Sequence, residues 1–373
     1  MWSTPAWVTD VELFVSANDA KLVRDQGRDV FPDDAGPDTL TLFDLDAARV
    51  LATVPVQNSI VGPPQAVALS PDATLAVVAA PTRYDRAAGS LRFADVLQVV
   101  RLALRGTPVE VIEIGAHPQS VAFTPDGRRL LVTTVTGEVI VFDVAEGEVL
   151  LRERLRVGAG SLSGLGVLAD GTAAIVSLRD EQGAAVLDLT GPDVTVLPER
   201  LATGVSPYVV DVDAAAHWAV IGSVGWGGKA FKSGSSVADA DLISLVDTSA
   251  RPFRTVDHAA VPSIPEGVAI SPDGAWVVAL CMAGSQLPAD APGTSPTGRL
   301  ELFANDDGRL RRVDGIATGA AAQGVVFSRD SRRIVAQLYA DRCLAVYEVS
   351  GESLSDTGVR IAVDGGPASL RRG

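Results

Sequence analysis

The amino-acid sequence predicts an all-β protein: a seven-bladed β-propeller of four-stranded antiparallel blades in a single domain. Three observations support this prediction. A strand–turn–strand pattern recurs along the whole chain, short β-branched runs fill the segments between the recurrences, and the two chain ends supply complementary parts of one more unit. A closed ring leaves no long unpaired sheet edge, which is a physical reason for the ends to join.

The recurring pattern is clearest at residues 118–134, where an apolar strand, a Pro-Asp-Gly turn and a second apolar strand follow one another. A turn residue stands eight positions after each start of the pattern. These turn residues are Asp72, Asp126, Asp170, Ala215, Asp273 and Asp330, at spacings of 54, 44, 45, 58 and 57 residues. A repeat of roughly 40–50 residues suits one four-stranded propeller blade.

Each repeat contains four segments typical of strands, such as the β-branched run at residues 139–144 in the third blade. Residues 12–17, 38–46 and 49–56 resemble strands two to four of a blade that lacks its first strand. Residues 368–372 resemble a first strand with nothing after it. We therefore expect blade 1 to combine residues 10–61 with 366–373, and the other blades to span 62–115, 116–158, 159–204, 205–261, 262–319 and 320–365.

The turns and the strands after them carry a family resemblance. A Ser-Pro-Asp turn followed by an apolar strand that ends in small or hydroxyl residues, as at 77–80, 131–134 and 14–17, resembles the YVTN-repeat propellers. The segment 117–127 also resembles the related lactonase-type propellers, which include phosphogluconolactonases and carboxymuconate cyclases. This resemblance covers nearly the whole chain. It implies the propeller fold, and it implies lactone hydrolysis or formation if the protein is an enzyme.

Composition limits the class of partner. The formal net charge of −15 provides no basic excess to meet phosphates, so a nucleic-acid partner is not expected. No run of about 18 apolar residues is present, so we expect no membrane partner. The first residues show no signal peptide, which predicts a cytoplasmic location, or a periplasmic or secreted one if a signal was removed. Cys281 and Cys343 lack metal-ligand spacing, so we expect two buried free thiols, with a disulfide as the alternative.

The two rims of the predicted ring differ in loop length. Four long insertions, at residues 18–37, 81–95, 225–241 and 282–298, join the second strand of a blade to the third and so share one rim, the insertion rim. The opposite rim, the turn rim, has only the tight Pro-Asp-Gly turns. Loops longer than about 12 residues are usually functional or disordered, and rigid scaffolds carry function on their loops. We therefore expect the ligand site on the insertion rim.

The residue after each repeat start is expected to line the channel mouth on the insertion rim. Reading along the chain, this ring is Gln65, Gln119, Ser163, Tyr208, Glu266, Gln323 and Ala368. Of these, we expect Gln65, Gln119, Tyr208 and Gln323 to bind the ligand. The alternative, which the sequence leaves open, is that these side chains hold channel waters and satisfy backbone groups.

The candidate catalytic residues are His117, Glu266 and Arg83. His117 or Glu266 would move a proton, and Arg83 or Lys229 would hold a carboxylate. The structural alternatives are a hydrogen bond in the inter-blade loop for His117, a paired or solvated carboxylate for Glu266, and pairing with the protein's own acids for Arg83. Arg86, beside Arg83, is a further ligand-binding candidate.

The glycine-rich segment 225–236 is either a lid or a flexible loop. As a lid, it would bring Trp226 as an apolar cover and Lys229 with Lys232 for an anion. The acidic first insertion lacks the residue order of a calcium loop, so no metal and no cofactor are predicted.

The sequence thus predicts binding, and turnover if the protein is catalytic, of a small polar or anionic metabolite at the channel mouth. The alternative is a non-catalytic propeller that binds a ligand or a protein partner on the insertion rim. An enzyme would bring Glu266, His117 and an arginine together in an enclosed pocket. A platform would present a broad face with apolar patches.

Overall fold

The computed structural model describes residues 11–25, 27–102, 108–230 and 239–373. In these residues, seven four-stranded antiparallel sheets are arranged so that each innermost strand contacts the innermost strands of both neighbouring sheets. The last sheet contacts the first in the same way, which closes the ring. The predicted seven-bladed propeller is therefore confirmed.

Strands β1 to β19 form blades 2 to 4, three strands of blade 1 and two insertion hairpins. They are β1 (Leu13–Asp19), β2 (Val23–Asp25), β3 (Arg28–Val30), β4 (Thr39–Asp44), β5 (Arg49–Pro55), β6 (Val67–Leu69), β7 (Leu75–Val78), β8 (Thr82–Asp85), β9 (Ser90–Phe93), β10 (Val96–Arg101), β11 (Glu110–Glu113), β12 (Pro118–Phe123), β13 (Arg129–Thr134), β14 (Glu138–Ala145), β15 (Glu148–Arg156), β16 (Leu165–Val167), β17 (Ala173–Ser177), β18 (Ala184–Asp188) and β19 (Thr195–Leu201). Two pairs, β2 with β3 and β8 with β9, form hairpins inside insertions and belong to no blade.

The remaining blades and the closing strand follow. They comprise β20 (Pro207–Val212), β21 (Trp218–Ser223), α1 (Gly225–Ala230), β22 (Asp241–Asp247), β23 (Arg254–Val261), β24 (Pro265–Ile270), β25 (Trp276–Cys281), β26 (Arg299–Asn305), β27 (Leu310–Ala317), β28 (Ala322–Phe327), β29 (Arg333–Leu338), β30 (Cys343–Ser350), β31 (Ser353–Ala362) and β32 (Gly366–Arg372). Strand β32 pairs antiparallel with β1, placing Phe14 opposite Arg372, and completes blade 1 with β4 and β5. The expected joining of one C-terminal strand to three N-terminal strands is confirmed.

The Pro-Asp-Gly turns form because each residue meets a specific geometric need. In blade 3 the Thr124 hydroxyl donates to Asp126 Oδ1 at 2.6 Å, and Gly127 N donates to Thr124 O at 2.8 Å. Gly127 has a φ of 70°, which glycine adopts without a steric cost. The same side-chain bond joins Ser271 to Asp273 at 2.5 Å. The repeated turn therefore fixes the spacing between the first two strands of a blade.

The core consists of layers between neighbouring blades. In β14 of blade 3, Val139 and Val141 face blade 4, whereas Ile140 and Phe142 face blade 2, and all four are buried. Burying such a side chain contributes about 1.5–3 kcal/mol. Middle strands read as continuous apolar runs because both their faces are covered, and the outer strands alternate between polar and apolar residues.

The innermost strands approach one another closely around the channel. Gly164 N donates to Tyr208 O at 2.6 Å, and Val121 N donates to Gln65 O at 3.1 Å, each bond joining two blades. A Cβ atom at Gly164 would lie 2.5 Å from Tyr208 O, so only glycine fits this contact. The ring is therefore closed by backbone contacts near its axis as well as by the layers between blades.

Candidate functional site

All four long insertions join the second strand of a blade to its third, so they stand together on the insertion rim. The first insertion carries the hairpin β2–β3 and the second carries β8–β9. The third contains the short helix α1, and its residues 231–238, which include Lys232, lie outside the described residues. The insertion rim therefore carries all four long insertions, as the sequence predicts.

The first insertion extends over its neighbours and covers part of the channel mouth. Leu22 O accepts a hydrogen bond from the Tyr339 hydroxyl of blade 7 at 2.7 Å. Gly27 packs so tightly on blade 6 that a Cβ atom there would lie 2.1 Å from Leu287 O. Phe31 stacks on Tyr84 of blade 2 at a centroid distance of 3.8 Å. We call this insertion the roof, because it contacts three blades besides its own.

A buried ion-pair group anchors the base of the roof. Lys21 pairs with Asp19 at 3.1 Å and with Asp38 at 2.7 Å. The same carboxylates accept hydrogen bonds from Ile60 N and Asn58 N, both at 3.0 Å. Burial raises the pKa of Asp19, and the Lys21 ammonium opposes this rise. The roof is thus tied to blade 1 and to the connection into blade 2.

Beneath the roof, three blades bring ionisable and aromatic groups together. The Tyr208 hydroxyl of blade 5 acts as a hydrogen-bond donor that lowers the pKa of Glu266, from β24 of blade 6. The guanidinium of Arg179, from blade 4, lies 4.6 Å from the centre of the Tyr208 ring, and its charge also lowers the pKa of Glu266. Arg24 of the roof adds a second positive charge near Glu266. We call these four residues the rim cluster.

Burial shapes the acid–base properties of the rim cluster. It raises the pKa of Glu266 to about 7, against the opposing effects of Arg179, the Tyr208 hydrogen bond and Arg24. Burial and the Glu266 carboxylate together raise the pKa of Tyr208 well above its usual range. Glu266 therefore exchanges a proton near neutral pH, which is the property of a general acid or base.

A cavity of about 410 Å³ lies between the roof and the fourth insertion. Arg24 and Gly27 line it from the roof, and Ser285 and Leu287 line it from blade 6. Arg24 thus both lines this cavity and lowers the pKa of Glu266 by its charge. Gln286, between two lining residues in sequence, is buried, and both its amide atoms lack a hydrogen-bond partner among the described residues. This unused hydrogen-bonding capacity lies next to the cavity, because Gln286 itself does not line it.

Solved structures with this architecture include proteins of known name. The chain resembles the periplasmic gluconolactonase of Pseudomonas aeruginosa at 15% identity, with a TM-score of 0.62 over 97% of this chain and 99% of that one. A provisionally named 6-phosphogluconolactonase from Bacteroides uniformis matches at 14% identity, with a TM-score of 0.68 over 98% and 100%. Hydrazine synthase from Kuenenia stuttgartiensis matches at 16% identity, with a TM-score of 0.61 over 84% and 90%.

The chain shares their fold. At these identities the likeness shows the fold alone, and it agrees with the seven-bladed propeller described above. No protein-family model matches the sequence, and neither does any curated protein.

His117 lies apart from the rim cluster. Its Nδ1 is 2.8 Å from Ala94 O, and its ring meets Phe93 edge-on at 5.0 Å, both in the second insertion. Burial lowers its pKa, and Asp95 opposes this effect. His117 is not among the groups that shift the pKa of Glu266. A catalytic role for His117 stays a prediction, and its described contacts are those of a residue that positions the second insertion.

The three glutamines of the predicted ring have different environments. Gln65 spans the channel: its Nε2 donates to Val210 O at 2.6 Å and its Oε1 accepts from Leu165 N at 3.3 Å. Gln119 is buried beside Gly62. The Nε2 of Gln323 lies within 3.4 Å of backbone carbonyls, whereas its Oε1 is buried without a partner among the described residues. Ligand binding by these three glutamines stays a prediction. Gln323 Oε1 is an acceptor that a ligand's hydrogen-bond donor could use.

The predicted cationic and aromatic residues lie in the outer part of the rim. Arg83 is exposed on the β8–β9 hairpin. Arg86 pairs with Asp33 and donates to Pro32 O at 2.6 Å, which ties the second insertion to the roof. Trp226, on α1, is 62% exposed. Lys229 lies on the same helix, and its side chain is outside the described part of the structure.

Sequence reasoning missed Arg24 and Arg179. Arg179 lies two residues after the end of β17, in a loop much shorter than the four insertions. Because Arg179 follows the second strand of a blade, the sequence could have placed it on the insertion rim. Arg24 occurs in an insertion whose acidic residues dominate the pattern, and no sequence signal predicts that β2–β3 folds over the channel.

Two absences concern only the part of the chain that the structure describes. No group of three or more His, Cys, Asp or Glu side chains there is arranged to hold a metal ion. No helix there is long and apolar enough to cross a membrane.

Proposed function

We propose that this protein opens or closes a lactone ring in a small anionic or polar metabolite at the rim cluster. The observation that carries the proposal is the convergence of one buried carboxylate, one tyrosine hydroxyl and two guanidinium groups beneath a roof. Fold likeness to a protein named as a gluconolactonase is consistent with this chemistry, and it says nothing about the substrate of this chain.

Ring opening needs one proton acceptor and one site for negative charge. The ionised Glu266 takes a proton from a water molecule as the water oxygen attacks the lactone carbonyl carbon. Arg179 stabilises the negative charge that develops on the carbonyl oxygen. The ring C–O bond then breaks, and the leaving alkoxide takes the proton back from Glu266. The product is a hydroxy acid, and the same groups run the reverse reaction.

The roof gives the proposal a conformational element. Glu266 and Tyr208 are only 6% and 4% exposed, and Arg24, whose charge acts on Glu266, lines the adjacent cavity. Substrate therefore enters by displacing the Arg24 side chain or the β2–β3 hairpin. Closure afterwards excludes water and brings the Arg24 charge to an anionic substrate.

The test is hydrolysis of a panel of five- and six-membered sugar lactones by the wild type and Glu266→Gln. A matched control is Glu352→Gln, which makes the same chemical change in an exposed ion pair with Arg311. Loss of turnover in the first variant alone supports the proposal. Equal turnover in all three proteins removes Glu266 from the mechanism.

A non-catalytic interaction platform is the second candidate function. Two aromatic side chains favour it, because Trp226 is 62% and Phe93 is 50% exposed, and both stand on the insertion rim. Exposed aromatic residues are enriched in protein–protein contacts. Absence of turnover on every lactone, together with protection of Trp226 fluorescence from a soluble quencher by a protein partner, would favour this function.

A further inference from the structure

The channel has a second opening, on the turn rim, into a cavity of about 350 Å³. The innermost strands of all seven blades contribute to its wall. Most of that wall is apolar, including Phe123, Val167, Val212, Ile270 and Phe327. This volume falls within the range of small-molecule sites, which runs from about 300 to 1,000 Å³.

Gln65 separates this cavity from the rim cluster. Its side chain runs from blade 2 across the channel axis to Val210 of blade 5 and Leu165 of blade 4, and both of those residues line the cavity. Val210 N also donates to Gln65 Oε1 at 3.1 Å, so both ends of the amide are held. The hydrogen-bonded side chain of Gln65 therefore separates a ligand in the turn-rim cavity from Glu266.

Four charged side chains line the cavity, and three of them are held by the backbone. Asp213 accepts from His217 N at 2.9 Å. Asp211 accepts from Ile270 N at 3.0 Å, and Arg372 donates to Phe327 O at 3.0 Å.

Arg371 is the exception. No hydrogen bond or ion pair involves its guanidinium among the described residues, and Asp211 acts on it only through longer-range charge attraction. Burial lowers the pKa of Arg371, yet an arginine stays protonated at any ordinary pH. The cavity therefore contains a partly exposed guanidinium that has no hydrogen bond or ion pair with a described residue.

The chemistry of the missing acceptor follows from these neighbours. A carboxylate matches the planar fork of a guanidinium with two parallel hydrogen bonds. The apolar wall favours a hydrocarbon body over a second polar group. The fixed negative charge of Asp211 balances Arg371 in part, so a dianion would meet repulsion that a monoanion avoids.

We propose that the turn-rim cavity binds a small monocarboxylate, with its carboxylate on Arg371 and its hydrocarbon body against the side chains of Phe123, Ile270 and Phe327. This site is separate from the rim cluster and does not depend on the function proposed for that cluster.

The experiment is calorimetric titration of the wild type with isovalerate, with isovaleramide and malonate as the neutral and dianionic comparisons. Isovalerate should bind the wild type and bind Arg371→Gln about 10–100-fold more weakly, the usual effect of losing a charge-assisted pair. Isovaleramide and malonate should both bind the wild type more weakly than isovalerate. Arg311→Gln, an exposed arginine, is the matched control and should bind as the wild type does.

Arg179→Gln distinguishes the two ends of the channel. If it abolishes isovalerate binding while Arg371→Gln does not, the carboxylate binds at the rim cluster and the proposal is wrong. Tighter binding of malonate, or no binding by the wild type at millimolar isovalerate, also overturns it. If Arg371→Gln does not fold, magnetisation transfer from the isovalerate methyl groups to the Phe123 and Phe327 rings in the wild type decides the question, and its absence counts against the site.

Discussion

The two ends of one channel contain different arrangements of charge. On the insertion rim a carboxylate, Glu266, lies near two guanidinium groups and under a roof. On the turn rim two guanidinium groups, Arg371 and Arg372, and two carboxylates, Asp211 and Asp213, line an open cavity. The same seven strands line both ends, so the difference comes from position along each strand and from the insertions. A propeller can therefore carry two independent sites when a side chain such as Gln65 divides its channel.

The largest expected effect concerns turnover at the insertion-rim end. Glu266→Gln should lower kcat/KM for a lactone substrate by about 10²–10⁴-fold, the usual contribution of a general base. In the wild type, kcat/KM should rise with pH through about 7 and level off above it, because the ionised carboxylate is the active form. A pH profile that is flat from pH 5 to 9 would contradict this assignment.

The next effect is on stability. The pKa of Glu266 is raised from an ordinary 4.5 to about 7 in the folded protein, so the folded state binds this proton more tightly than the unfolded state does. The resulting stabilisation is fully present below about pH 4.5 and is lost as the pH rises through about 7, and its size is about 3 kcal/mol.

Glu266→Gln should remove this pH dependence, because an amide cannot ionise. Urea unfolding should therefore find the variant more stable than the wild type at pH 8.5 and similar to it at pH 5. A variant that parallels the wild type at both pH values would show that Glu266 does not titrate in this range.

A smaller effect on stability is expected from a substitution at Gly164, beside the Gln65 side chain that divides the channel. Gly164→Val would force a side chain against Tyr208 O and the Gln65 amide, at 2.5 and 2.7 Å from the first added atom. Such overpacking costs about 1–3 kcal/mol, which urea unfolding would detect. Gly36→Ala is the control, because nothing lies within 4 Å of its added Cβ atom. Equal stabilities would mean that the inner strands can separate without cost.

The smallest effect is expected from Tyr208→Phe. This change removes the hydrogen bond that lowers the pKa of Glu266, so the midpoint of the pH profile should move above about 7. Turnover at pH 7 should fall about tenfold, the lower end of the loss expected for one hydrogen bond to a charged group. A midpoint that moves to lower pH would mean that Tyr208 does not stabilise the ionised carboxylate.

The fold was predictable because its information is local and repeated. Turns such as Thr124–Gly127 specify their own geometry, and each sets the start of the next strand. The same regularity placed Glu266 and Tyr208 at equivalent positions in adjacent blades, which is why they meet. Position within a repeat therefore indicated that Glu266 and Tyr208 lie side by side.

The rest depended on contacts that no repeat encodes. Arg24 reaches Glu266 only because a hairpin folds back across the mouth, and Gly27 makes that path possible by its close contact with Leu287. Gln65 shares its ring position with Glu266 but extends across the axis instead of lining it. The turn-rim cavity was not predicted, because loop length carries no information about how far the inner strands diverge.

The strand that closes the ring also carries Arg371. In the register of β32 with β1, Arg371 lies opposite Val15, so its guanidinium is placed by the same pairing that joins the two ends of the chain. A molecule held there would be released whenever the C-terminal strand detached. Ligand binding in the turn-rim cavity would therefore stabilise the closed ring against unfolding, and this stabilisation would increase with ligand concentration.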